Sequence, residues 1–161
     1  MSQKFYQTSE KTTDVWLTPP DLVQKLGHFD LDPCSPNNLP WKLADKFYSL
    51  ENGEDGLALS WEGRLFVNPP YSGWAPFIKK LSEHNNGIAL IFAKTETKGW
   101  HDHVWPKVDS ILFIKRRLKF LRSDFKSAST ATQASVLIAY GAANTKCLET
   151  CGIEGKLIKL K

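Results

Sequence analysis

The segment Arg64-Leu65-Phe66-Val67-Asn68-Pro69-Pro70-Tyr71 decides the fold. Its first four residues form a mostly apolar run, which predicts a short buried strand that ends at Asn68. The two prolines that follow fix φ and remove two backbone donors, so the chain beyond the strand is stiff. The proline carbonyls and the Asn68 side-chain oxygen are therefore pre-organised hydrogen-bond acceptors at the carboxyl end of a strand.

Acceptors held in this way suit chemistry on an amino group attached to an aromatic ring. Such a nitrogen is a poor nucleophile because its lone pair is delocalised, and two fixed acceptors on its N–H bonds favour a more nucleophilic, tetrahedral geometry. Tyr71 adds an aromatic face on which a base extruded from its helix can stack. The segment predicts methylation of an adenine amino group, with Asn68, Pro69, Pro70 and Tyr71 as catalytic residues. The alternative is a rigid turn after a strand, in which Tyr71 only packs.

Length and composition limit the remaining possibilities. A chain of 161 residues predicts one domain, too small for a catalytic and a separate recognition domain, with residues 1–13 as a flexible N-terminal segment. The net charge of +4 fits a polyanionic partner. Neither a membrane-spanning apolar run nor a signal peptide is evident, so we expect a cytoplasmic protein without a membrane partner.

The sequence does not predict a metal site. Three cysteines do not make an even disulfide framework. Cys147 and Cys151 could pair or bind metal, but no matching Cys/His pair at zinc spacing lies nearby. The run His101-Asp102-His103 would need a strand to place its two histidines on one side, and its surroundings indicate a helix.

Strands and helices alternate along the chain. Strands are predicted over residues 28–32, 64–67, 88–92, 110–114 and 135–140, with an edge strand at 156–160. Helices are predicted to begin at Thr18, at Pro40 and over residues 74–84 and 99–104, whereas residues 122–132 indicate a polar loop. This order predicts a three-layer α/β domain with a mostly parallel sheet. Ligands of such sheets lie beyond the carboxyl ends of the strands, where Asp32 and Asn68 fall.

Four pieces of the sequence carry a resemblance to a known family. They are Trp16-Leu17-Thr18-Pro19-Pro20, Asp30-Leu31-Asp32-Pro33-Cys34, Asp55-Gly56-Leu57 leading through Trp61 to Asn68-Pro69-Pro70-Tyr71, and Ile114-Lys115-Arg116-Arg117-Leu118-Lys119-Phe120. The chain resembles amino-methyltransferases that use S-adenosylmethionine, and specifically the small phage and prophage DNA N6-adenine methyltransferases of the Dam type. The resemblance implies a minimal, single Rossmann-like methyltransferase domain that acts on DNA in the cytoplasm of a bacterial host.

The resemblance also implies a set of residues that bind S-adenosylmethionine. The segment with Trp16, Thr18 and Pro19 is expected to close over the methionine end of the cofactor, although Thr18 could instead cap a helix. Asp32, followed by Pro33, is expected to face the cationic amino group, where opposite charges attract. Asp55 is expected to bind the adenine amino group of the cofactor, with a simple turn aspartate as the alternative. Asn68 contributes to this site as well as to catalysis.

Two features depart from the family pattern. The usual Gly-rich loop after the first strand is replaced by Cys34-Ser35-Pro36-Asn37-Asn38, in which Asn37 or Asn38 could adopt the positive φ of a glycine. The stretch between Asp32 and Asn68 is also short for two complete β-α units. The acidic residue for the cofactor ribose is therefore unassigned, with Asp45 and Glu51 as candidates.

The densest basic segment predicts a contact with DNA. It contains Lys115, Arg116, Arg117, Lys119 and Arg122, with Phe120 among them, and continues to Lys126. Basic and hydroxyl side chains suit phosphate binding. The alternative is an ordinary solvated edge. The segment from Lys94 through Lys98 could also border the site, and the sequence does not decide between a monomer and a homodimer.

Two other functions compete with DNA adenine methylation. A methyltransferase of a protein glutamine would present the same two N–H bonds to the same acceptors. A catalytically silent DNA-binding relic of the fold would no longer hold S-adenosylmethionine. The basic segment favours DNA over protein, and the resemblance implies that Asn rather than Ser at position 68 favours adenine over cytosine.

Overall fold

A computed structural model of the protein describes residues 17–122, 125 and 128–161. Seven of its strands form one sheet, and they are β1 Leu31–Asp32, β2 Lys46–Phe47, β3 Leu65–Val67, β4 Gly87–Phe92, β5 Ser110–Ile114, β8 Ser135–Tyr140 and β9 Gly155–Lys159. Two further strands, β6 Lys119–Leu121 and β7 Ala128–Thr130, form a separate antiparallel pair. The N-terminal segment 1–13, predicted to be flexible, lies outside the described residues.

The order of the large sheet is β2-β1-β3-β4-β8-β5-β9. Strands β2, β1, β3 and β4 are parallel, whereas β8 is antiparallel to both β4 and β5, and β9 is antiparallel to β5. Most strands therefore point in one direction, which confirms an α/β protein with a mixed, mostly parallel sheet. Because β1 and β3 are neighbours and parallel, Asp32 and Asn68 lie at the same edge of the sheet.

Apolar side chains on the sheet divide between two buried clusters. The helices are α1 Pro20–Gln24, α2 Trp74–His84 and α3 Ala142–Thr150, with a π-helical turn at Trp100–Val104. Leu65 and Val67 belong to a cluster that contains residues of α2, whereas Phe66 belongs to one that contains residues of α1 and α3. Successive strand residues point to opposite faces, so these two clusters lie on opposite sides of β3.

Most predicted elements are confirmed with small changes at their ends. Helix α2 and strands β5 and β8 have the predicted bounds, and β9 is the predicted edge strand. The helix predicted over residues 99–104 is present as the π-helical turn. The first strand is much shorter than predicted, because only Leu31 and Asp32 pair with their neighbours.

Two predictions about elements are wrong, and one helix was not predicted. No helix begins at Pro40; instead Lys46 and Phe47 form β2, whose parallel pairing with β1 leaves Phe47 37% exposed. The loop predicted over residues 122–132 contains β7 at its end. Helix α3 was not predicted, since its buried residues include the polar Asn144 and Thr145 beside Leu148.

Cys34, Cys147 and Cys151 are free thiols, and the Cys147 thiol donates to the Leu26 carbonyl at 3.2 Å. Within the described ranges, none of the helices combines the length and the apolar character that crossing a membrane requires.

Candidate active site

A cavity of about 190 Å³ opens where the carboxyl ends of β1 and β3 meet the segment before α1. Seven of the residues predicted for the site line it, namely Thr18, Asp32, Pro33, Asn68, Pro69, Pro70 and Tyr71. Several lining residues were not predicted, among them Leu39, Leu43, Ser49, Leu50 and Phe77. They come from segments without a recognisable motif, so only the folded chain reveals them.

Asp32 is a buried carboxyl group on the wall of this cavity. Its side chain is 4% exposed, and its Oδ1 accepts the Cys34 N–H at 3.1 Å. Burial raises the pKa of Asp32 to about 7, although hydrogen bonds from Cys34 and Ser35 oppose the shift. In the described part of the chain, no basic side chain forms an ion pair with it. A cationic ligand would therefore stabilise the ionised form of this group.

Cys34 connects the loop after β1 with the catalytic segment. Its thiol donates to the backbone carbonyl of Asn68, with an Sγ–O distance of 3.4 Å. Burial, and the neighbouring Asp32 carboxyl, raise the pKa of this thiol well above its usual value. Cys34 is therefore a neutral hydrogen-bond donor here and not a nucleophile.

The side chain of Asn68 is held by a residue from another segment. Its Nδ2 donates to the hydroxyl of Thr18 at 2.8 Å, and Thr18 is 2% exposed. The alternative role of Thr18 as a helix cap is wrong, because Pro19 occupies the N-cap position of α1 and no side chain caps it. Pro19 is only partly buried and is next to the cavity wall.

The rest of the segment forms a tight turn into α2. The Pro70 carbonyl accepts the Gly73 N–H at 3.1 Å. The Tyr71 ring stacks on Phe92, with 4.4 Å between centroids and 14° between planes. A base would therefore contact the opposite face or the edge of Tyr71.

A second cavity, of about 210 Å³, adjoins Tyr71. Its lining consists of Tyr71, Phe92, Lys94, Ala131, Thr132 and Gln133. The sequence indicated Lys94 as a bordering residue, whereas Thr132 and Gln133 were hidden in a polar stretch. Tyr71 is thus shared by two adjoining cavities.

Asp55 lies beside the first cavity but does not line it. Its exposed carboxylate accepts the Leu57 N–H at 2.9 Å, which is the turn role considered as the alternative. The neighbouring Gly56 does line the cavity, and its carbonyl accepts the indole N–H of Trp61 at 2.7 Å. A Cβ at Gly56 would lie 1.8 Å from the Pro33 carbonyl oxygen, so only glycine fits this close approach.

The two candidates for the ribose site lie in different places. Glu51 lines the first cavity, and its Oε2 accepts the Asn37 N–H at 3.3 Å. Asp45 is exposed elsewhere and contacts His28 at 2.9 Å. The expectation of a positive φ at Asn37 or Asn38 is wrong, because neither residue adopts it.

The basic segment contains strand β6 of the β6–β7 pair. Lys115 forms an exposed ion pair with Glu154 at 3.3 Å, while Arg116, Lys119 and Arg122 are exposed. Arg117 donates to the carbonyl of Ala131 at 3.4 Å, next to the second cavity. The predicted residues Trp16 and Lys126 lie outside the described residues.

The β6–β7 pair is also joined to the wall of the first cavity. The N–H of Leu17 donates to the Leu121 carbonyl at 3.0 Å, and the N–H of Leu121 donates to the Leu17 carbonyl at 3.1 Å. Thr18, which holds Asn68, is the next residue in the chain. Strand β6 of the basic segment is thus connected to the catalytic segment by hydrogen bonds at Leu17 and Thr18.

An α/β protein with acceptors at the end of β3 and a buried carboxyl at the end of β1 has the general arrangement that the sequence predicted. A family model described as DNA N-6-adenine-methyltransferase (Dam) matches residues 6–147. Because this match covers most of the chain, the protein belongs to that family, and the resemblance seen in its sequence is confirmed.

A curated relative supports the same assignment. A DNA N-6-adenine-methyltransferase of Escherichia phage T1 is 29% identical over 121 residues. The match covers 69% of this chain and 49% of the phage protein. The chain therefore spans about half the length of the curated relative that it matches.

Proposed function

We propose that the protein transfers a methyl group from S-adenosylmethionine to the N6 amino group of adenine in DNA. The observation that carries this proposal is that Tyr71 lines both cavities, while Asn68 lines the first cavity beside it. The first cavity is suited to a cationic cofactor, and the second cavity adjoins the basic segment. Membership of the Dam family and the name of the phage T1 relative support the same reaction.

The residues around the first cavity fit S-adenosylmethionine. The cofactor carries an ammonium group and supplies an electrophilic methyl group on a sulfonium centre. Asp32 would become ionised beside the ammonium group, because a positive charge lowers the pKa that burial has raised. Glu51 would accept hydrogen bonds from the ribose hydroxyls. The proposed cofactor residues are Trp16, Thr18, Pro19, Asp32, Pro33, Asp55 and Asn68, with Glu51 added.

The second cavity would receive the target adenine after it leaves the base stack. The Asn68 side-chain oxygen and the Pro69 carbonyl would accept hydrogen bonds from its amino group, while Tyr71 contacts the ring. The nitrogen forms its bond to the methyl carbon as the carbon–sulfur bond breaks, and the surplus proton then leaves the nitrogen for water. Proximity and orientation provide most of the acceleration, so a strong base is not needed.

DNA would lie along the basic segment. Its phosphates would contact the exposed cations Lys115, Arg116, Arg117, Lys119 and Arg122. We further propose that the chain forms one three-layer, Rossmann-like methyltransferase domain that acts as a monomer or a homodimer. The phage source of the relative suggests that this protein is also phage-encoded and works in the cytoplasm of a bacterial host.

Mass spectrometry of nucleosides tests the proposal. Unmethylated DNA is incubated with S-adenosylmethionine and either the wild type or Asn68→Ala, and the DNA is then digested. We expect N6-methyladenine with the wild type only. Asn68→Ala should lose turnover and retain an affinity for S-adenosylmethionine, measured by calorimetry, within roughly threefold of the wild type, because it removes an acceptor and no charge.

The other outcomes are equally informative. Full turnover by Asn68→Ala would refute the assignment of the catalytic residue. N4-methylcytosine in place of N6-methyladenine would keep the mechanism and change the target base. If no DNA is methylated although the cofactor binds, glutamine-containing protein substrates become the next test. A protein that does not bind S-adenosylmethionine at micromolar concentrations would be a silent relic.

A further inference from the structure

We propose that Thr18 is a positioning residue, whose hydroxyl orients the Asn68 carboxamide so that its oxygen faces the target amino group. The inference rests on the proposed function, because it concerns the same catalytic segment. The Thr18 hydroxyl then serves Asn68, whereas the backbone around Thr18 lines the proposed cofactor cavity. The observation that carries it is the 2.8 Å hydrogen bond between Asn68 Nδ2 and the Thr18 hydroxyl.

The chemistry of a carboxamide requires such a partner. Only the oxygen of the Asn68 side chain can accept a hydrogen bond, whereas its NH₂ group donates. A rotation of the amide by half a turn would present the NH₂ group to the target amino group, and two donors would then face each other. In the observed orientation the Thr18 hydroxyl accepts from Nδ2, which places the oxygen on the opposite side of the same planar group.

The location of Thr18 makes it a suitable anchor. The residue is 2% exposed, so little water competes for its hydroxyl. On one side, its backbone is restrained by the paired hydrogen bonds between Leu17 and Leu121. On the other side follows Pro19, and a proline restricts the backbone of the residue before it. The hydroxyl does not cap α1, so the helix makes no competing demand on it.

The backbone of Asn68 is held by a different residue. The Cys34 thiol donates to the Asn68 carbonyl at 3.4 Å, and Val67 before it is fully buried in β3. The main chain of Asn68 is therefore fixed from one side, and Thr18 acts on the side chain from another. This division predicts that the removal of the Thr18 hydroxyl disturbs the carboxamide without moving the strand.

The variant Thr18→Val tests the inference, since valine has nearly the same shape and no hydroxyl. At saturating cofactor and DNA, we expect turnover to fall about 10- to 100-fold, as when one preorganised group of an active site is lost. The dissociation constant for S-adenosylmethionine should stay within about threefold. Thr18→Ser restores a hydroxyl and should recover most of the turnover.

A matched control comes from another buried threonine. Thr145 is 9% exposed, and its hydroxyl lies 2.8 Å from that of Ser110 in a hydrogen bond away from both cavities. Thr145→Val removes an equivalent hydroxyl and should leave turnover within about twofold of the wild type after thermal stability is checked. A turnover loss in Thr145→Val equal to that in Thr18→Val would mean a general packing effect and would overturn the inference.

A measurement without catalysis separates this inference from the proposed function. The side-chain amide protons of Asn68, assigned by their disappearance in Asn68→Ala, can be followed by NMR in the ligand-free protein. We expect slow exchange with water in the wild type and Thr18→Ser, and faster exchange in Thr18→Val. If the wild type methylates no DNA, the proposed function fails while the exchange rates still report whether Thr18 holds Asn68.

Two further results would overturn the inference. One is a Thr18→Val protein with normal turnover at saturation and a cofactor affinity weakened in proportion to its loss at low cofactor, because the hydroxyl would then be a cofactor ligand. The other is unprotected Asn68 amide protons in the wild type, which decides the question even if Thr18→Val does not fold.

Discussion

At the scale of single residues, the first cavity contains a group whose charged form the fold alone disfavours. Asp32 is 4% exposed, and its raised pKa means that ionisation costs free energy in the ligand-free protein. The hydrogen bonds from Cys34 and Ser35 reduce this cost without removing it. Such a group is explained most simply by a cation that is present only during function.

The raised pKa predicts how stability depends on pH. Burial raises the pKa of Asp32 from 3.8 to about 7, so between these values the folded state binds a proton that the unfolded state releases. The contribution of Asp32 to stability is therefore fully present below pH 3.8 and is lost as the pH rises through about 7. In Asp32→Asn this loss should disappear, which makes the variant more stable than the wild type at pH 8 by up to about 4 kcal/mol.

Urea unfolding at several pH values measures this difference. The free energies of unfolding of the wild type and Asp32→Asn should converge at low pH and separate as the pH rises. The same variant should bind S-adenosylmethionine more weakly, since the ammonium group loses its charged partner. Parallel curves across the whole pH range would contradict the raised pKa, and unchanged cofactor affinity would contradict the proposed role of Asp32.

At the scale of elements, the β6–β7 pair joins two parts of the proposed mechanism. It carries Lys119 in β6, and its outer edge is paired with Leu17, beside the cofactor cavity. The Arg117 guanidinium also contacts Ala131 at the second cavity. Charge on this pair should therefore affect DNA binding alone, whereas its backbone pairing should affect both ligands.

Two variants separate these contributions. Lys119→Ser with Arg122→Ser should weaken DNA binding and reduce the slope of log affinity against log salt by about two, one for each phosphate contact. Leu121→Pro removes the N–H that pairs with Leu17, so it should weaken the binding of both DNA and S-adenosylmethionine. Fluorescence anisotropy with a labelled duplex and calorimetry with the cofactor give the two affinities.

A charge control completes this experiment. Lys146 and Lys156 are exposed cations outside the basic segment, and their double serine variant removes the same net charge. An equal loss of DNA affinity in this control would mean that only the overall charge matters, and the basic segment would then be an ordinary solvated edge. Normal cofactor affinity in Leu121→Pro would show that the pairing with Leu17 is not needed for the cavity.

The elements differ in how well the sequence alone predicts them. Helix α2 and strands β5 and β8 have clear apolar patterns that local reasoning detects, and the segment from Asn68 to Tyr71 carries its chemistry in adjacent residues. Strand β2 has only two residues and exists because it pairs with β1, which no local pattern encodes. Gln133 reaches the second cavity only through the path of β7, so its position depends on tertiary structure.

At the scale of the whole molecule, one side chain connects the segment between α1 and β1 with helix α3. The Arg64 guanidinium donates to the carbonyls of Leu26 at 2.9 Å and His28 at 2.6 Å, and to Asn144 Oδ1 at 2.6 Å. It also lies 4.2 Å from the centre of the Phe29 ring. Arg64 thus links the end of α1, the approach to β1 and helix α3 immediately before the strand that leads to Asn68.

The variant Arg64→Lys tests whether this connection stabilises the fold. Lysine keeps the positive charge but lacks the planar fork that can reach several acceptors at once. We expect the free energy of unfolding to fall by about 2–3 kcal/mol, because partly buried acceptors lose hydrogen bonds to a charged donor. Arg116→Lys, at an exposed position, should leave the free energy of unfolding unchanged, as measured by urea unfolding of both proteins.

The same variant distinguishes stability from catalysis. Arg64 does not line either cavity, so Arg64→Lys should retain its turnover at temperatures well below its lowered melting temperature. If Arg64→Lys were as stable as the wild type, the three hydrogen bonds of the Arg64 guanidinium would contribute little to the free energy of unfolding. A stable protein with reduced turnover would instead mean that Arg64 sets the position of β3, and that the geometry at Asn68 depends on contacts made at the opposite end of this strand.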